Sequence, residues 1–446
     1  MLPCASSLSP AEPDWAAFAA IDWASRKHAW SLAPVNGGPP ESGILDNTPE
    51  AVELWAMALH HRFAARPIAI SIEQKRGAVI YLLAKYAHFV LYPVPPSMAA
   101  SYRQAFFPSG AKNDPGDAGL LLEILLHHRQ RLRPRHLESP TTRLLQFLVE
   151  QRRQFVQQRV QQVQRLTDCL QQYFPQLRLW FDSLDRPLVA ALLDRWPELP
   201  QLQRAHPGTL HRFFVEHNCR REELIQERIQ AIYTAVAAID DAVVIEACTR
   251  KTSTLLHLIR SLQQEIAELE KRIRTLTEEH PDAPIFASFP GAGPATVPRL
   301  IAAFGTCRDA YVNASDLQRV SGIAPVAISS GNAKSTRMRR ACPKFLRQTF
   351  HEFAAQSIPY SAWAKAYYQH HVQQNKSKHH AAVRSLANKW IRILYRCWKD
   401  HRLYDESIFL ESQRRRGSLL GADLASLAGV QWQSEAGFQK IQKKPS

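Results

Sequence analysis

Four carboxylates of this chain have the types and spacing for joint chemistry. Asp22 closes an apolar run, Glu73 ends the alternating run Pro67–Glu73, and Asp114 and Asp117 stand three apart in KNDPGDAGLLLEIL. That spacing puts Asp114 and Asp117 on one face of a helix beginning there. Converging carboxylates repel one another unless hard cations neutralise them, and an all-oxygen donor set suits Mg2+ or Mn2+. Two such ions about 4 Å apart activate an attacking oxygen and stabilise a leaving oxygen at a phosphodiester. The same residues also read as ordinary structure, with Asp114 a helix cap, Asp117 a first-turn charge and Glu73 a solvated strand end. Spacing alone leaves both readings open.

A second set lies in SGIAPVAISSGNAKSTRMRRACPKFLRQTF at 321–350. From Leu317 to His351 there is no acid, while Arg319, Lys334, Arg337, Arg339, Arg340, Lys344 and Arg347 are basic. Such a patch binds phosphates, with an affinity that falls steeply with salt. Within it, Ser329-Ser330-Gly331 reads as a small-residue loop in which a hydroxyl could approach a backbone phosphate. A nucleophilic serine needs deprotonation and charge stabilisation, which nearby cations could supply. The competing reading is a plain turn. Upstream, FASFPGAGPATVPRLIAAFG at 286–305 reads as a helix-hairpin-helix-like element. Gly291 and Gly293 permit a tight turn whose amides could face a phosphate, or simply join two helices. No Gly-Lys-Ser/Thr follows, so it is not a P-loop. His370-His371 and His379-His380 fit no zinc spacing and belong with a basic segment, and no G-x-S-x-G elbow occurs.

The elements around these residues change character along the chain. Residues 18–34 suggest two paired strands, Ile68, Ile70 and Ile72 alternate as in a strand, and FVLYPVPP at 89–96 is a third strand stopped by prolines. Ala51–Arg62 and Ala78–Phe89 read as helices between them, as in an α/β layer. From Thr142, Val149, Val156, Val163 and Leu170 recur every seven residues, with Leu145, Leu166 and Tyr173 on a second seam. Leu255, Leu262, Leu269 and Leu276, with Ile259, Ile266 and Ile273, form another heptad array. Such helices pair as a coiled coil, within one chain or between chains. A Pro-interrupted stretch of short helices separates them.

The 446 residues carry 56 Lys and Arg against 40 Asp and Glu, a formal charge of +16, which points to a polyanionic partner, nucleic acid foremost. Hydrophobic residues make up 45%, which argues against a mainly disordered chain. Seven scattered cysteines without a C-x-x-C pair suit reduced thiols. There is no signal peptide and no run of 18 apolar residues, so a cytoplasmic protein with no membrane partner is expected.

Taken in order, Asp22, Glu73, K-N-D-P-G-D-A (Lys112 to Ala118), F-P-G-A-G-P and S-G-I-A-P-x-x-x-S-S-G resemble the DEDD insertion-sequence transposases, the bridge-RNA-guided recombinases. The resemblance covers about 15–130 and 284–400, with the heptad segment between. It implies a RuvC-like, ribonuclease-H-type domain at 15–135 in which Asp22, Glu73, Asp114 and Asp117 bind Mg2+ or Mn2+. It further implies a helical coiled-coil region at 140–280 and a mainly α transposase domain at 284–405, whose serine nucleophile maps onto Ser330. Residues 406–446 have no family counterpart and are expected to be a flexible basic tail. The fold class is therefore multidomain, α/β followed by α.

In such enzymes the serine forms a covalent 5′-phosphoserine link to DNA, and the carboxylates complete a composite site across subunits. Partners implied are DNA, at element ends and target, a noncoding guide RNA, and further copies of the chain, dimer to tetramer. Lys112, Gly291, Gly293, Gly331, Lys334, Arg337, Arg339, Arg340, Lys344 and Arg347 are the nucleic-acid-binding candidates. The alternative is a metal-dependent, structure-selective nuclease or Holliday-junction resolvase in which activated water attacks and Ser330 is a loop residue.

Overall fold

The computed structural model describes residues 13–73, 77–106, 114–135, 138–330, 333–373 and 378–415, with 114–115, 333–334 and 412–414 described by backbone alone. The chain divides into two compact units, one ending at Glu138 and the other beginning at Ser139.

The first unit runs β1 (Ala17–Asp22), β2 (Lys27–Pro34), β3 (Glu41–Asp46), α1 (Pro49–Arg62), β4 (Ile68–Ile72), α2 (Ala78–Leu83), β5 (Phe89–Pro93), α3 (Pro96–Phe106) and α4 (Asp114–His128). The sheet order is β3-β2-β1-β4-β5, with β1 antiparallel to β2 and parallel to β4, and β4 parallel to β5. Every residue of β4 is buried, as a central parallel strand covered on both faces requires. Ala19, Ile21, Ile70 and Ile72 share a core with Val52 and Ala56 of α1 and Val79 and Ile80 of α2. On the opposite face Ala20 and Ala69 pack with Leu120, Leu121 and Ile124 of α4, and their small side chains leave room for that helix.

The helix expected over Ala78–Phe89 ends at Leu83 instead. Phe89 pairs with Ile68 in β5, so the intervening residues must turn the chain back to the sheet. The edge strand β3 carries no clear alternation of residue types, because Ile44 points to solvent while Leu45 is buried.

The second unit begins with α5 (Pro140–Tyr173), whose N-terminus is capped by Ser139 Oγ accepting from the Thr142 amide at 3.2 Å. It packs antiparallel on α11 (Ala242–Glu278) of the same chain. Thr142 meets His280 at 3.0 Å, Arg152 donates to Glu270 at 2.8 Å, and Tyr173 donates to Thr252 at 3.3 Å. The two heptad segments thus pair within the chain.

Between them stand α6 (Leu177–Trp180), α7 (Pro187–Arg195), α8 (Leu199–Gln203), α9 (Pro207–Glu216) and α10 (Glu222–Thr234). They close a core on Leu166, Leu170, Leu255 and Ile259, so the Pro-interrupted stretch caps the far end of the helix pair. Pro187 and Pro207 start helices, where a missing N–H costs nothing.

The chain continues as α12 (Ala283–Ala287), α13 (Val297–Phe304), α14 (Ala314–Val320), the hairpin β6 (Val326–Ser330) and β7 (Ala333–Arg337), α15 (Lys344–Ser357), α16 (Ala362–Gln373), α17 (His379–Lys399) and α18 (Glu406–Arg415). Trp363, Trp390 and Trp398 are fully buried at its centre. Leu145 and Val149 of α5 and Ile273 and Leu276 of α11 join this core, so 140–280 and 284–405 belong to one compact unit.

The expected flexible tail from 406 is corrected over its first ten residues. They form α18, with Phe409 packed on Trp363 at 4.5 Å and Glu406 accepting from Ser361 at 2.8 Å. Residues 416–446 lie outside the described residues. Among the described residues no helix is long and apolar enough to cross a membrane.

Candidate active site

The first unit brings carboxylates to one edge of its sheet. Ile21 and Ile72 are register partners on adjacent parallel strands, so Asp22 and Glu73, one residue further on, stand side by side at the carboxyl ends of β1 and β4. Alternation places both on the face that carries Ala20, Ala69 and α4.

Helix α4 runs antiparallel to β1. Beyond its last residue, the Arg129 guanidinium lies over the rings of Trp15 and Phe18, 5.4 and 5.1 Å away, at the amino end of the strand. In its middle, the Leu121 carbonyl accepts from Ser71 Oγ at 2.9 Å, two residues before Glu73. Asp117 lies one turn before Leu121, about 6 Å nearer the strand ends at 1.5 Å per residue. The first turn of α4 therefore points at the edge formed by Asp22 and Glu73.

Asp117 is buried, and Arg103 of α3 donates to its Oδ1 at 2.6 Å. Arg103 is a site residue that sequence reasoning missed, because nothing in its spacing from Asp117 marks the pair. Asp114 opens α4, but its side chain, like the whole of Lys112, lies outside the described residues. Among the described residues no group of three or more His, Cys, Asp or Glu side chains comes close enough to hold a metal ion. The donor chemistry, carboxylate oxygen throughout, fits a hard divalent cation. In this arrangement Asp117 is engaged by a guanidinium instead.

The second unit presents Ser329 and Ser330. The expected loop is the end of a strand: Ser329 pairs with Lys334 and Ser330 with Ala333 in the β6–β7 hairpin. Both serines are exposed. Ser-Ser thus continues the strand begun by Val326–Ile328, while residues 331–332, Gly331 among them, and the Lys334 side chain lie outside the described residues. Arg337, Arg340 and Lys344 are exposed, while Arg339 is half-buried and Arg347 donates to its carbonyl at 3.4 Å. Arg319 is committed to Asp316.

The PGAG turn is occupied with itself. The amides of Ala292 and Gly293 donate to Phe289 and Gly291, and those of Thr296 and Val297 donate to Gly293. Gly291 has φ +77°, and a Cβ there would stand 2.6 Å from the Gln356 carbonyl oxygen. This glycine lets the turn seat against α15.

Comparison with known proteins matches these two regions separately. A transposase family model of the DEDD type from IS110 elements matches residues 19–175, and the transposase IS116/IS110/IS902 family matches 283–369. The mini-circle putative transposase for IS117 of Streptomyces coelicolor is 26% identical over 396 residues, 87% of this chain and 95% of that protein. The 43.6 kDa protein of insertion element IS110 from the same organism is 24% identical over 70% of this chain and 76% of its own length. The 42 kDa protein of IS900 from Mycobacterium paratuberculosis is 24% identical over 78% and 84%. With the carboxylate-bearing sheet and the serine hairpin both inside matched regions, the chain belongs to the IS110 family of insertion-sequence transposases.

Proposed function

We propose that this transposase breaks and rejoins DNA strands through Ser330, with Asp22, Glu73, Asp114 and Asp117 as a cation-binding set on a RuvC-like domain. A noncoding RNA selects the sites, and two to four copies of the chain assemble around the DNA. The observation that carries the reading is Ser330 itself: an exposed hydroxyl at a hairpin end, in a stretch from Leu317 to His351 without a carboxylate.

Ser330 Oγ attacks a backbone phosphorus while the P–O3′ bond breaks. The departing 3′ oxygen takes up a proton, and the 5′ phosphate remains esterified to the serine. A 3′ hydroxyl of another strand then attacks that phosphorus, the P–Oγ bond breaks, and the serine regains its proton. Arg337, Arg339 and Arg340 follow on the hairpin's second strand and beyond it, where guanidinium groups stabilise charge on phosphate oxygens. Asp22, Glu73, Asp114 and Asp117 would hold a divalent cation through their carboxylate oxygens, and that ion would supply Lewis-acid stabilisation of phosphate charge. Asp117 must exchange Arg103 for that role, so Arg103 acts as its placeholder and positions the carboxylate at the strand edge. The sheet order β3-β2-β1-β4-β5 supports the ribonuclease-H-type reading, and the +16 charge supports nucleic-acid partners.

The test is an SDS-resistant adduct assay with end-labelled element-junction DNA, Mg2+ and co-expressed flanking RNA. A labelled adduct is expected for the wild type and for Ser329→Ala, absent in Ser330→Ala, and dependent on the RNA. Cleavage without an adduct, unchanged in Ser330→Ala, would make the protein a hydrolytic nuclease and overturn the serine reading.

A further inference from the structure

A groove of about 550 Å³ opens between α16, α17 and α18, away in sequence from the serine hairpin. Its cationic wall comes from α17, which contains no acid from His379 to Lys399. Lys389, Arg392 and Arg396 are exposed at i, i+3 and i+7, one stripe along the helix, and Arg402 adds a fourth cation. Its other wall is aromatic and aliphatic, with Tyr367, Leu403, Ile408 and Phe409. Leu403 and Ile408 are 61% and 64% exposed, unusually apolar for so charged a surface.

Of the groove's two carboxylates, one neutralises Arg396 and the other is taken up by its own turn, which leaves Lys389, Arg392 and Arg402. Asp400 is bonded to Arg396 at 2.5 Å, and Asp405 accepts from the Ser407 amide and hydroxyl at 2.8 and 2.6 Å. Arg392 and Arg402 form no ion pair with any described residue, and Lys389 lies over the Tyr367 ring at 5.8 Å. Guanidinium groups beside an apolar, aromatic floor match a polyanion whose bases are free to leave the stack.

We propose that this groove binds an unpaired stretch of the DNA substrate, with phosphates along Lys389, Arg392 and Arg402 and a base laid on Tyr367 and Ile408. A cleft of this volume takes one unstacked base with its sugar, whereas a duplex keeps its bases paired and could reach only the rim. Deoxyribose rather than ribose follows from the DNA substrate that the transposase family implies. The chain's own end is a poor occupant, since Lys440, Lys443 and Lys444 would meet like charge. The inference rests on DNA as substrate, and on neither Ser330 nor a metal.

The test uses the full-length protein and fluorescence anisotropy with a labelled 20-nucleotide oligo-dT, the same strand in a duplex, and oligo-U. Arg392→Gln with Arg402→Gln, and separately Ile408→Glu, alter exposed side chains and leave the buried core intact. Each is expected to weaken oligo-dT binding roughly tenfold, within the range of single stacking and phosphate contacts. The double variant should also flatten the salt dependence of binding, while duplex binding changes less than twofold. Ser330→Ala should bind oligo-dT as the wild type does, which separates this site from the proposed nucleophile. Unchanged oligo-dT binding in both groove variants, with circular dichroism showing them folded, would overturn the proposal. An equal loss on the duplex would reduce the groove to a general phosphate surface, and an equal loss on oligo-U would remove the preference for DNA; either refutes it as stated.

Discussion

Ser330 and Asp117 occupy opposite environments, and this shapes what each substitution reports. Ser330 is exposed on a hairpin, so Ser330→Ala removes a hydroxyl without disturbing a core and reads chemistry directly. Asp117 is buried against Arg103, so its removal would leave a partly buried guanidinium without its carboxylate. Gly291 shows how a residue suited to a phosphate-facing turn can serve packing instead. Its φ of +77° and the 2.6 Å that would separate a Cβ from the Gln356 carbonyl oxygen leave no place for a side chain. Gly291→Ala is expected to destabilise the protein by about 2 kcal/mol or more, from the left-handed backbone and the clash together. Chemical denaturation should show a lower midpoint with unchanged slope, and a midpoint equal to wild type would contradict the assignment.

At the scale of elements, heptad position and burial part company. Leu255, Ile259, Ile266, Ile273 and Leu276 are buried on α11, while Leu262 and Leu269, in the same heptad array, are only half-buried. The ends of the α5–α11 pair are clamped by two different cores, and its middle is more open. Ile259→Ala, inside the core made with the short helices, is expected to cost about 2–5 kcal/mol. Leu262→Ala should cost distinctly less, because its side chain already meets solvent. Urea titrations of the two variants check the order, and equal losses would mean that the seam alone sets stability. Heptads alone leave the pairing open, since antiparallel partners and zippers share a pattern. Cross-helix pairs such as Arg152 with Glu270 identify it as intrachain.

Both units carry histidines that are buried or half-buried, His28 fully and His88, His351 and His371 in part. Burial pushes His28 and His88 down in the first unit, the His60 ring adding to the effect at His88 and a bond to Asn47 opposing it at His28. In the second unit burial lowers His351 and His371, helped by His380 and Arg384 around His351 and by His370 and Lys389 around His371. Each folded pKa lies below its ordinary value, so as pH falls through about 6.5 the unfolded chain binds more of these protons than the folded one. Stability is then lost on acidification and retained above that range. Thermal unfolding at pH 5.5 is expected to begin at lower temperature than at pH 7.5, and an increase at the lower pH would contradict the assignment.

Several features are legible in residues alone. Asp22 and Glu73 mark strand ends because alternation of Ile68, Ile70 and Ile72 ends on an acid, and the run of cations around Ser330 needs no structure to be seen. Local periodicity also locates both long helices. The rest depends on contacts between segments far apart in the chain. Register across parallel strands sets Asp22 beside Glu73, and the Ser71 bond to Leu121 with the Arg129 stack orients α4 towards them. The pairing of Arg103 with Asp117, the docking of α18 on Trp363 and the groove it forms with α17 leave no local trace either. Sequence pattern records which face of an element is apolar, and so determined the elements and the chemistry they carry. Which elements share a face is decided by packing among all of them, and that only the tertiary structure could settle.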